Sequence, residues 1–236
     1  MTDSLLITEH LSDYLSSLQP DLPDFLETLY QKAREERIPV IRREAQSLLS
    51  FLCLDREPGR VLEIGTAIGF SSCLMAEYLP EGAVIDTVEK DPERYREAVS
   101  NIRSFAADYT KRHNRKAPEI RPHEEDAEAY LSRLSSDNAT YDLIFLDAAK
   151  AQYPVYLTYI GRLMNPHSIL VTDNVLQEGT LAESKFTVTR RDRTIHLRIR
   201  EFADRLFRGD MYQSILLPLG DGMTVTRLSG GNVTHD

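Results

Sequence analysis

Short apolar runs alternate with amphipathic stretches along most of this chain. The apolar runs that predict strands lie near residues 60–64, 83–88, 118–122, 142–146 and 168–172. The stretches between them have helical periodicity, and such alternation of strand and helix predicts a parallel sheet. Two more strands, at 212–217 and 223–228, are joined by a Gly-Asp-Gly turn and can add an antiparallel edge. The pattern therefore predicts an α/β protein.

Helical patterns precede this core and fill the gaps within it. Three of them, at residues 4–18, 21–36 and 41–54, come before the first strand. A further helix begins after Glu89, with Asp91 as its cap and Pro92 in its first turn. We expect one domain over residues 1–236. Its predicted parts are a helical cap (1–56), a ligand-binding core (57–176), a basic helix with the last strands (177–229) and a tail (230–236).

Two strand tips carry oxygen-bearing side chains. Asp147 follows the run that ends at Leu146, and Asp173 and Asn174 follow the next strand. Ligands bind beyond the carboxyl ends of parallel strands, so these tips would meet in one crevice. Two carboxylates and an amide oxygen suit Mg²⁺, which retains positions for substrate oxygens. Lys150 could lean over the same crevice. The alternative is that each Asp caps the following helix.

A glycine loop follows the first core strand. Gly65 and Gly69 allow a tight turn, and the helix that follows offers free N–H groups to an anion. The pyrophosphate fingerprint G-x-G-x-x-G is interrupted by Ala67 and Phe70. The loop therefore favours a nucleoside without a pyrophosphate, with Glu89 at the next strand end accepting the ribose hydroxyls. The alternative is a plain βαβ turn with a surface glutamate.

Length and charge narrow the function classes. With 236 residues and a formal charge of −9, the chain is large enough for a good core and unsuited to coating nucleic acid over its whole surface. Its longest apolar stretch, near residues 48–54, is too short to span a bilayer, and its start lacks a basic leader. We expect a cytoplasmic protein without a membrane partner. Cys53 and Cys73 are expected to be buried thiols, and the histidines form no zinc pattern.

Basic residues are concentrated in two places. The predicted RNA-binding set near the last helix is Lys185, Arg190, Arg191, Arg193 and Arg198. Arg191, Arg198 and Arg205 recur every seven residues, so a helix would present them on one face, opposite an apolar stripe. Such a face can hold phosphates, although a solvated surface is the ordinary outcome. The second run, 111–116, is predicted to be a loop that is either an RNA contact or an insertion.

Several motifs together resemble the cation-dependent O-methyltransferases that use S-adenosylmethionine, the group containing catechol and caffeoyl-CoA methyltransferases. The motifs are IPVI at 38–41, LEIGTAIG at 62–69, FLDAAKAQY at 145–153, VTDNVL at 171–176 and LPLGDGM at 217–223. The resemblance extends from Ile38 to Leu228. Within the group it looks strongest to the bacterial enzymes that methylate 5-hydroxyuridine in tRNA.

The resemblance implies a Rossmann-like class I methyltransferase with a seven-stranded, mostly parallel sheet of order 3-2-1-4-5-7-6. It implies S-adenosyl-L-methionine and Mg²⁺ or another divalent cation as cofactors. The implied cofactor-binding residues are Ile41, Glu63, Gly65, Gly69, Ser71, Glu89, Asp126, Ala127 and Asp147. The implied metal ligands are Asp147, Asp173 and Asn174, and Lys150 with Asp147 would be catalytic.

The same resemblance implies the tRNA anticodon loop as the partner, with the 5-hydroxyl of the wobble uridine as the methyl acceptor, and a homodimer. The main alternative is a small-molecule catechol or phenylpropanoid O-methyltransferase, which would need an aromatic-walled pocket, and the chain has no Trp. A non-catalytic RNA-binding module is a further alternative, against which the intact Asp147 and Lys150 argue. A nicotinamide oxidoreductase is disfavoured by the glycine pattern.

Overall fold

The computed structural model describes residue 14, residues 17–176 and residues 193–230. The described helices are α1 (Asp24–Glu35), α2 (Arg43–Arg56), α3 (Phe70–Tyr78), α4 (Pro92–His113), α5 (Ala127–Ser136), α6 (Tyr153–Leu163) and α7 (Arg193–Phe207). The strands are β1 (Arg60–Ile64), β2 (Val84–Glu89), β3 (Glu119–Glu124), β4 (Tyr141–Leu146), β5 (Met164–Thr172), β6 (Tyr212–Leu217) and β7 (Met223–Leu228). The predicted tail from 231 and most of the predicted first helix lie outside the described residues, as do Lys185, Arg190 and Arg191.

The seven strands form one sheet in the order β3-β2-β1-β4-β5-β7-β6. The five strands from β3 to β5 pair in parallel, and β7 pairs antiparallel with both β5 and β6. This arrangement confirms the predicted sheet order and the antiparallel edge. The predicted strand limits agree closely except for β5, which begins at Met164 rather than at 168.

Two apolar layers cover the sheet, one on each face. In β1, Val61 packs with one layer and Leu62 and Ile64 with the other. In β4, Phe145 and Ile144 divide between the layers in the same way. Because successive side chains of a strand point to opposite faces, strands covered on both sides are apolar at nearly every position. That burial explains the continuous apolar runs in the sequence.

The helices follow their predicted signals with one correction. The Asp91 side chain accepts hydrogen bonds from the N–H groups of Glu93 and Arg94, which confirms it as the cap of α4. The prediction of a loop over 111–116 was wrong for its first three residues, because α4 continues to His113. Arg112 forms ion pairs with Glu77 at 2.7 Å and Asp108 at 2.6 Å, and these pairs hold the last turn of the helix on the body.

The sequence also predicted buried thiols and no stretch long enough to span a bilayer. Cys53 and Cys73 are buried and free, as predicted. Burial raises the pKa of the Cys53 thiol to about 12. None of the helices in the described part of the chain is both long enough and apolar enough to span a bilayer.

The loops at the carboxyl edge of the sheet are joined to one another by backbone hydrogen bonds. Gly65 N–H donates to the carbonyl of Val88 at 3.1 Å, and Asp147 N–H donates to that of Ile64 at 3.0 Å. Asp173 N–H donates to the carbonyl of Leu146, also at 3.0 Å. These bonds hold the tips of β2, β1, β4 and β5 side by side, in that order.

Gly65 is the residue on which this closeness depends. Its φ is +106°, and a Cβ added there would overlap the carbonyl oxygen of Asp147 and lie 2.8 Å from that carbonyl carbon. The obstacle is backbone, which cannot move aside as a flexible side chain would. Only glycine therefore allows the β1 loop to lie against the tip of β4.

We expect Gly65→Ala to lower the free energy of unfolding by several kcal/mol, more than the roughly 1–2 kcal/mol that a left-handed conformation costs an L-residue. Gly82→Ala is the matched control, because Gly82 also has a positive φ, +83°, but no atom lies within 4 Å of an added Cβ. Denaturant unfolding of both variants measures the difference. Equal losses would contradict the steric role of Gly65.

Candidate active site

A cavity of about 470 Å³ opens at the carboxyl edge of the sheet. Its walls come from the turn before α2, the glycine loop after β1, the end of β2 and the loops that follow β3, β4 and β5. The predicted site residues that line it are Ile41, Gly65, Ser71, Glu89, Ala127, Asp147, Lys150 and Asn174. These residues come from six separate segments of the chain, so the fold brings together most of the set predicted from the motifs.

The glycine loop holds the carboxylate of Glu89 in the cavity wall. Ala67 N–H donates to one Glu89 oxygen at 2.9 Å, and Asp91 N–H donates to the other at 2.9 Å. Gly69, with φ +84°, is the N-cap of α3 and does not line the cavity. A carboxylate has about four acceptor positions, so two bonds leave Glu89 able to accept from hydroxyl groups of a ligand.

Glu63 lies beneath the loop rather than in the cavity. Its Oε2 accepts hydrogen bonds from the hydroxyls of Ser72 and of Thr87, the latter at 2.5 Å. Its Oε1 is buried without a hydrogen-bond partner among the described residues. Burial raises the pKa of the Glu63 carboxyl. Glu63 therefore supports α3 from beneath the loop, and its side chain does not line the cavity.

The two residues predicted to contact an adenine differ in position. Ala127 lines the cavity, whereas the Asp126 side chain caps α5 by accepting from the N–H groups of Glu128 at 3.0 Å and Ala129 at 3.5 Å. Capping occupies one oxygen of Asp126, and this residue is not part of the lining. The loop after β3 instead contributes Glu125 to the cavity.

The predicted metal ligands meet at the far end of the cavity. Asp147 Oδ1 accepts a hydrogen bond from the Asn174 side-chain amide at 3.0 Å, and Asp173 Oδ1 accepts from Asn174 N–H at 2.7 Å. A second, smaller cavity of about 100 Å³ is lined by both carboxylates, Asn174 and Asp221. Neither Asp147 nor Asp173 caps a described helix, so the capping alternative is not what these residues do here.

Electrostatics in this cluster favour a bound cation. Burial raises the pKa of Asp147, although the Asn174 amide and Lys150 oppose this. Burial, and then the charge of Asp147, raises the pKa of Asp173 to about 7. Lys150 Nζ lies 3.4 Å from Asp221 Oδ2, so this lysine is shared with a third carboxylate. Anionic oxygens crowded in a buried place are stabilised by a positive ion.

The side chains in this cluster are of the types that magnesium binds, carboxylates and an amide. Across the described residues, no group of three or more His, Cys, Asp or Glu side chains forms a metal-ligand cluster. Mg²⁺, however, is commonly held by one or two carboxylates together with water and substrate oxygens, and an amide oxygen is a suitable further ligand. Rotation of the Asn174 amide would turn its oxygen, rather than its nitrogen, toward Asp147.

Helix α7 does not contribute to either cavity. Of the apolar stripe predicted on it, Ile199, Phe202 and Leu206 are buried, whereas Ile195 is half-buried. Arg198 pairs with Glu201 at 3.1 Å, and Arg205 donates to the carbonyl of Pro154. Arg193 lies at the exposed start of the helix. The RNA-binding role predicted for Arg193 and Arg198 stays a prediction, and Lys185, Arg190 and Arg191 lie outside the described residues.

Sequence reasoning missed the basic side of the first cavity. Lys90 and Arg94 line it beside Glu89. Lys90 directly follows the end of β2, and Arg94 lies in the first turn of α4. Their closeness in sequence to Glu89 could have indicated that they line the same cavity. Pro39 and Val40 line both cavities, and they were noted only as part of a motif.

The sheet order, with one antiparallel strand and a glycine loop at its carboxyl edge, is that of a Rossmann-like methyltransferase. The family model for O-methyltransferases matches residues 13–229, and the chain belongs to that family.

Named relatives agree with this. A catechol O-methyltransferase of Niastella koreensis is 29% identical over 77% of this chain and 79% of its own length. A caffeoyl-CoA O-methyltransferase of Stellaria longipes is 25% identical over 94% and 92%. The O-methyltransferase TomG of Streptomyces achromogenes, solved with S-adenosylmethionine, has a TM-score of 0.75 at 26% identity and covers 94% of this chain and 96% of its own.

We expect Glu63→Gln to fold and to gain stability relative to the wild type as the pH rises. The raised pKa means that folded Glu63 keeps a proton that the unfolded chain releases, so wild-type folding weakens with increasing pH. Glutamine does not ionise, so the difference in unfolding free energy should grow by at most about 1.4 kcal/mol per pH unit. Denaturant titrations between about pH 5 and pH 8 measure this trend. A difference that stays constant over that range would show that Glu63 is buried as an anion.

Proposed function

We propose that this protein is an S-adenosylmethionine- and magnesium-dependent O-methyltransferase whose acceptor is the 5-hydroxyl of the wobble uridine of tRNA. The observation that carries the chemistry is the junction of the two cavities. Both are lined by Pro39, Val40, Asp147 and Asn174. A donor site and a cation site that share these residues bring a methyl group and an acceptor oxygen to one place.

The larger cavity suits the methyl donor. Glu89 can accept the two ribose hydroxyls, and the start of α3 with Ser71 can bind the carboxylate of the methionine part. Bound there, S-adenosylmethionine supplies an electrophilic methyl group. Support for this donor comes from TomG, whose structure contains it, and from the motif at 62–69. The walls at Ile41 and Phe70 are apolar and can pack against the uncharged parts of the donor.

The smaller cavity suits the acceptor. A divalent cation held by Asp147, Asp173 and Asn174 would lower the pKa of the acceptor hydroxyl and orient its oxygen. Lys150 lines the donor cavity, and its Nζ lies 3.4 Å from Asp221 Oδ2. As an ammonium it would guide the acceptor oxygen electrostatically while the hydroxyl proton leaves to water, and only in its neutral form would it be the base that takes this proton. The oxygen forms a bond to the methyl carbon as the carbon–sulfur bond breaks, and the electron pair of that bond stays on sulfur.

The choice of tRNA as acceptor rests on the motifs and on the polarity of the acceptor side. The described residues that line the smaller cavity include no aromatic side chain but do include Arg42. A pocket for a phenol would need apolar aromatic walls. The second candidate is a small catechol or phenylpropanoid, and the names of the Niastella koreensis and Stellaria longipes relatives favour it.

The predicted homodimer remains a proposal. Phe51 and Leu54, on the outer face of α2, are more than half exposed and provide apolar surface beside the N-terminal helices, where we expect the interface.

We expect Asp173→Ala to lower methyl transfer by roughly a thousandfold, the equivalent of several kcal/mol of lost stabilisation by the cation. Asp173 lines the smaller cavity but not the larger one, so the affinity for S-adenosylmethionine should be retained. Asp147→Ala should lose both methyl transfer and affinity for S-adenosylmethionine, because Asp147 lines both cavities. Asp137→Ala, an exposed aspartate at the end of α5, is the control. Initial rates and cofactor titrations measure these effects, and EDTA should abolish wild-type activity until Mg²⁺ is added. Full activity in Asp173→Ala would refute the metal assignment.

We expect the protein to transfer a labelled methyl group to tRNA that carries 5-hydroxyuridine, because the motif match and the polar acceptor side both favour this substrate. Mass analysis of the digested nucleosides should show 5-methoxyuridine. Caffeoyl-CoA and catechol are tested in parallel under the same conditions. Label in those phenols but none in tRNA would replace the tRNA proposal with the small-molecule alternative.

A further inference from the structure

A basic groove of about 750 Å³ lies between the end of α1 and the start of α2. We call it the arginine groove, because Arg34, Arg37, Arg42 and Arg43 line it. The only acidic side chain among its described lining residues is Glu44. Four arginines, set against Glu44 and against the Arg43 partner Glu27, leave a local formal charge of +2, on a chain whose total is −9. Positive charge is therefore concentrated here against the overall balance.

The arginines of this groove are positioned so that they can bind an anion. Arg43 pairs with Glu27, and its guanidinium lies 4.7 Å from the ring centre of Tyr30. Arg34 lies 5.9 Å from the same ring. Arg37 and Arg42 are exposed and form no ion pair with a described residue. Guanidinium groups bind phosphate through paired N–H donors, so two unengaged arginines beside two positioned ones suit a phosphate chain.

The arginine groove adjoins the active site. Pro39 and Val40 line the groove and both catalytic cavities. Arg42 lines the groove and the smaller cavity, and the aliphatic part of its side chain lies against the backbone at Gly220. A phosphate held in the groove would therefore be a neighbour of an acceptor held in the smaller cavity.

We propose that the arginine groove binds the backbone phosphates of a single-stranded RNA acceptor next to the nucleoside that is methylated. This rests on the proposed function, since it assigns a second part of the same acceptor site. The arginines are distributed over two helix ends and the turn between them, which offers positions for consecutive phosphates. Phosphate contacts fix the register of an RNA loop while its unstacked base enters a pocket. A phenol without phosphates, such as catechol, has no group that would use these charges.

The test is the binding of a fluorescein-labelled tRNA anticodon stem-loop, followed by anisotropy, to the full chain and to Arg34→Gln/Arg37→Gln. Neither arginine lines a catalytic cavity. We expect the Kd to rise at least about tenfold. The slope of log affinity against log salt should decrease by about 0.7 for each phosphate that the variant no longer neutralises. The matched control is Arg96→Gln/Arg103→Gln, which removes two exposed charges from α4 and should change neither value.

Each outcome decides the proposal. A Kd and salt slope equal to the wild-type values would overturn it, and so would failure of the wild type to bind the stem-loop. If Arg34→Gln/Arg37→Gln lowers the affinity for coenzyme A but not for RNA, the groove belongs to a phosphorylated small acceptor instead. Thermal unfolding and S-adenosylmethionine titration of the same variant separate a loss of fold from a loss of RNA binding. If the variant loses affinity for the stem-loop as expected but the wild type does not methylate tRNA, the proposed function alone is overturned.

Discussion

Gly65 has no side chain, and the carboxyl edge of the sheet depends on that absence. The loop after β1 lies directly on the backbone of Asp147, where any Cβ would overlap the chain. Backbone hydrogen bonds then hold the tips of β2, β1, β4 and β5 in order. Because these hydrogen bonds hold the tips together, Asp147, at the end of β4, lines both the larger and the smaller cavity. The chemistry of the site follows from this packing.

The fold and the main site residues were predictable because their causes are local. Strands covered on both faces leave apolar runs, and parallel strands bring their carboxyl ends to one edge, so Asp147, Asp173 and Asn174 could be placed together. The position of Glu63 beneath the glycine loop could also have been read from the sequence, and its role in cofactor binding stays a prediction. In a strand, alternate residues share a face, which puts Glu63 with Val61 toward α3, where Ser72 donates to it.

The features that escaped prediction depend on partners distant in the chain. The run at 111–116 looked like a charged loop because nothing nearby shows that Arg112 pairs with Glu77, 35 residues away. The arginine groove was missed for a related reason. Glu35 and Glu36 interrupt its basic residues in the sequence, so the stretch has little net charge. In the fold these two glutamates do not line the groove, and the charges of the arginines are no longer balanced there.

The turn at Pro39 and Val40 borders the larger cavity, the smaller cavity and the arginine groove at once. Neither side chain can ligate a metal or transfer a proton, so substitutions there leave the reactive groups intact. They would change the shape of the wall that the three cavities share. Substitution at these two apolar positions is therefore a way to reshape all three cavities at once without removing Asp147, Asp173 or Asn174.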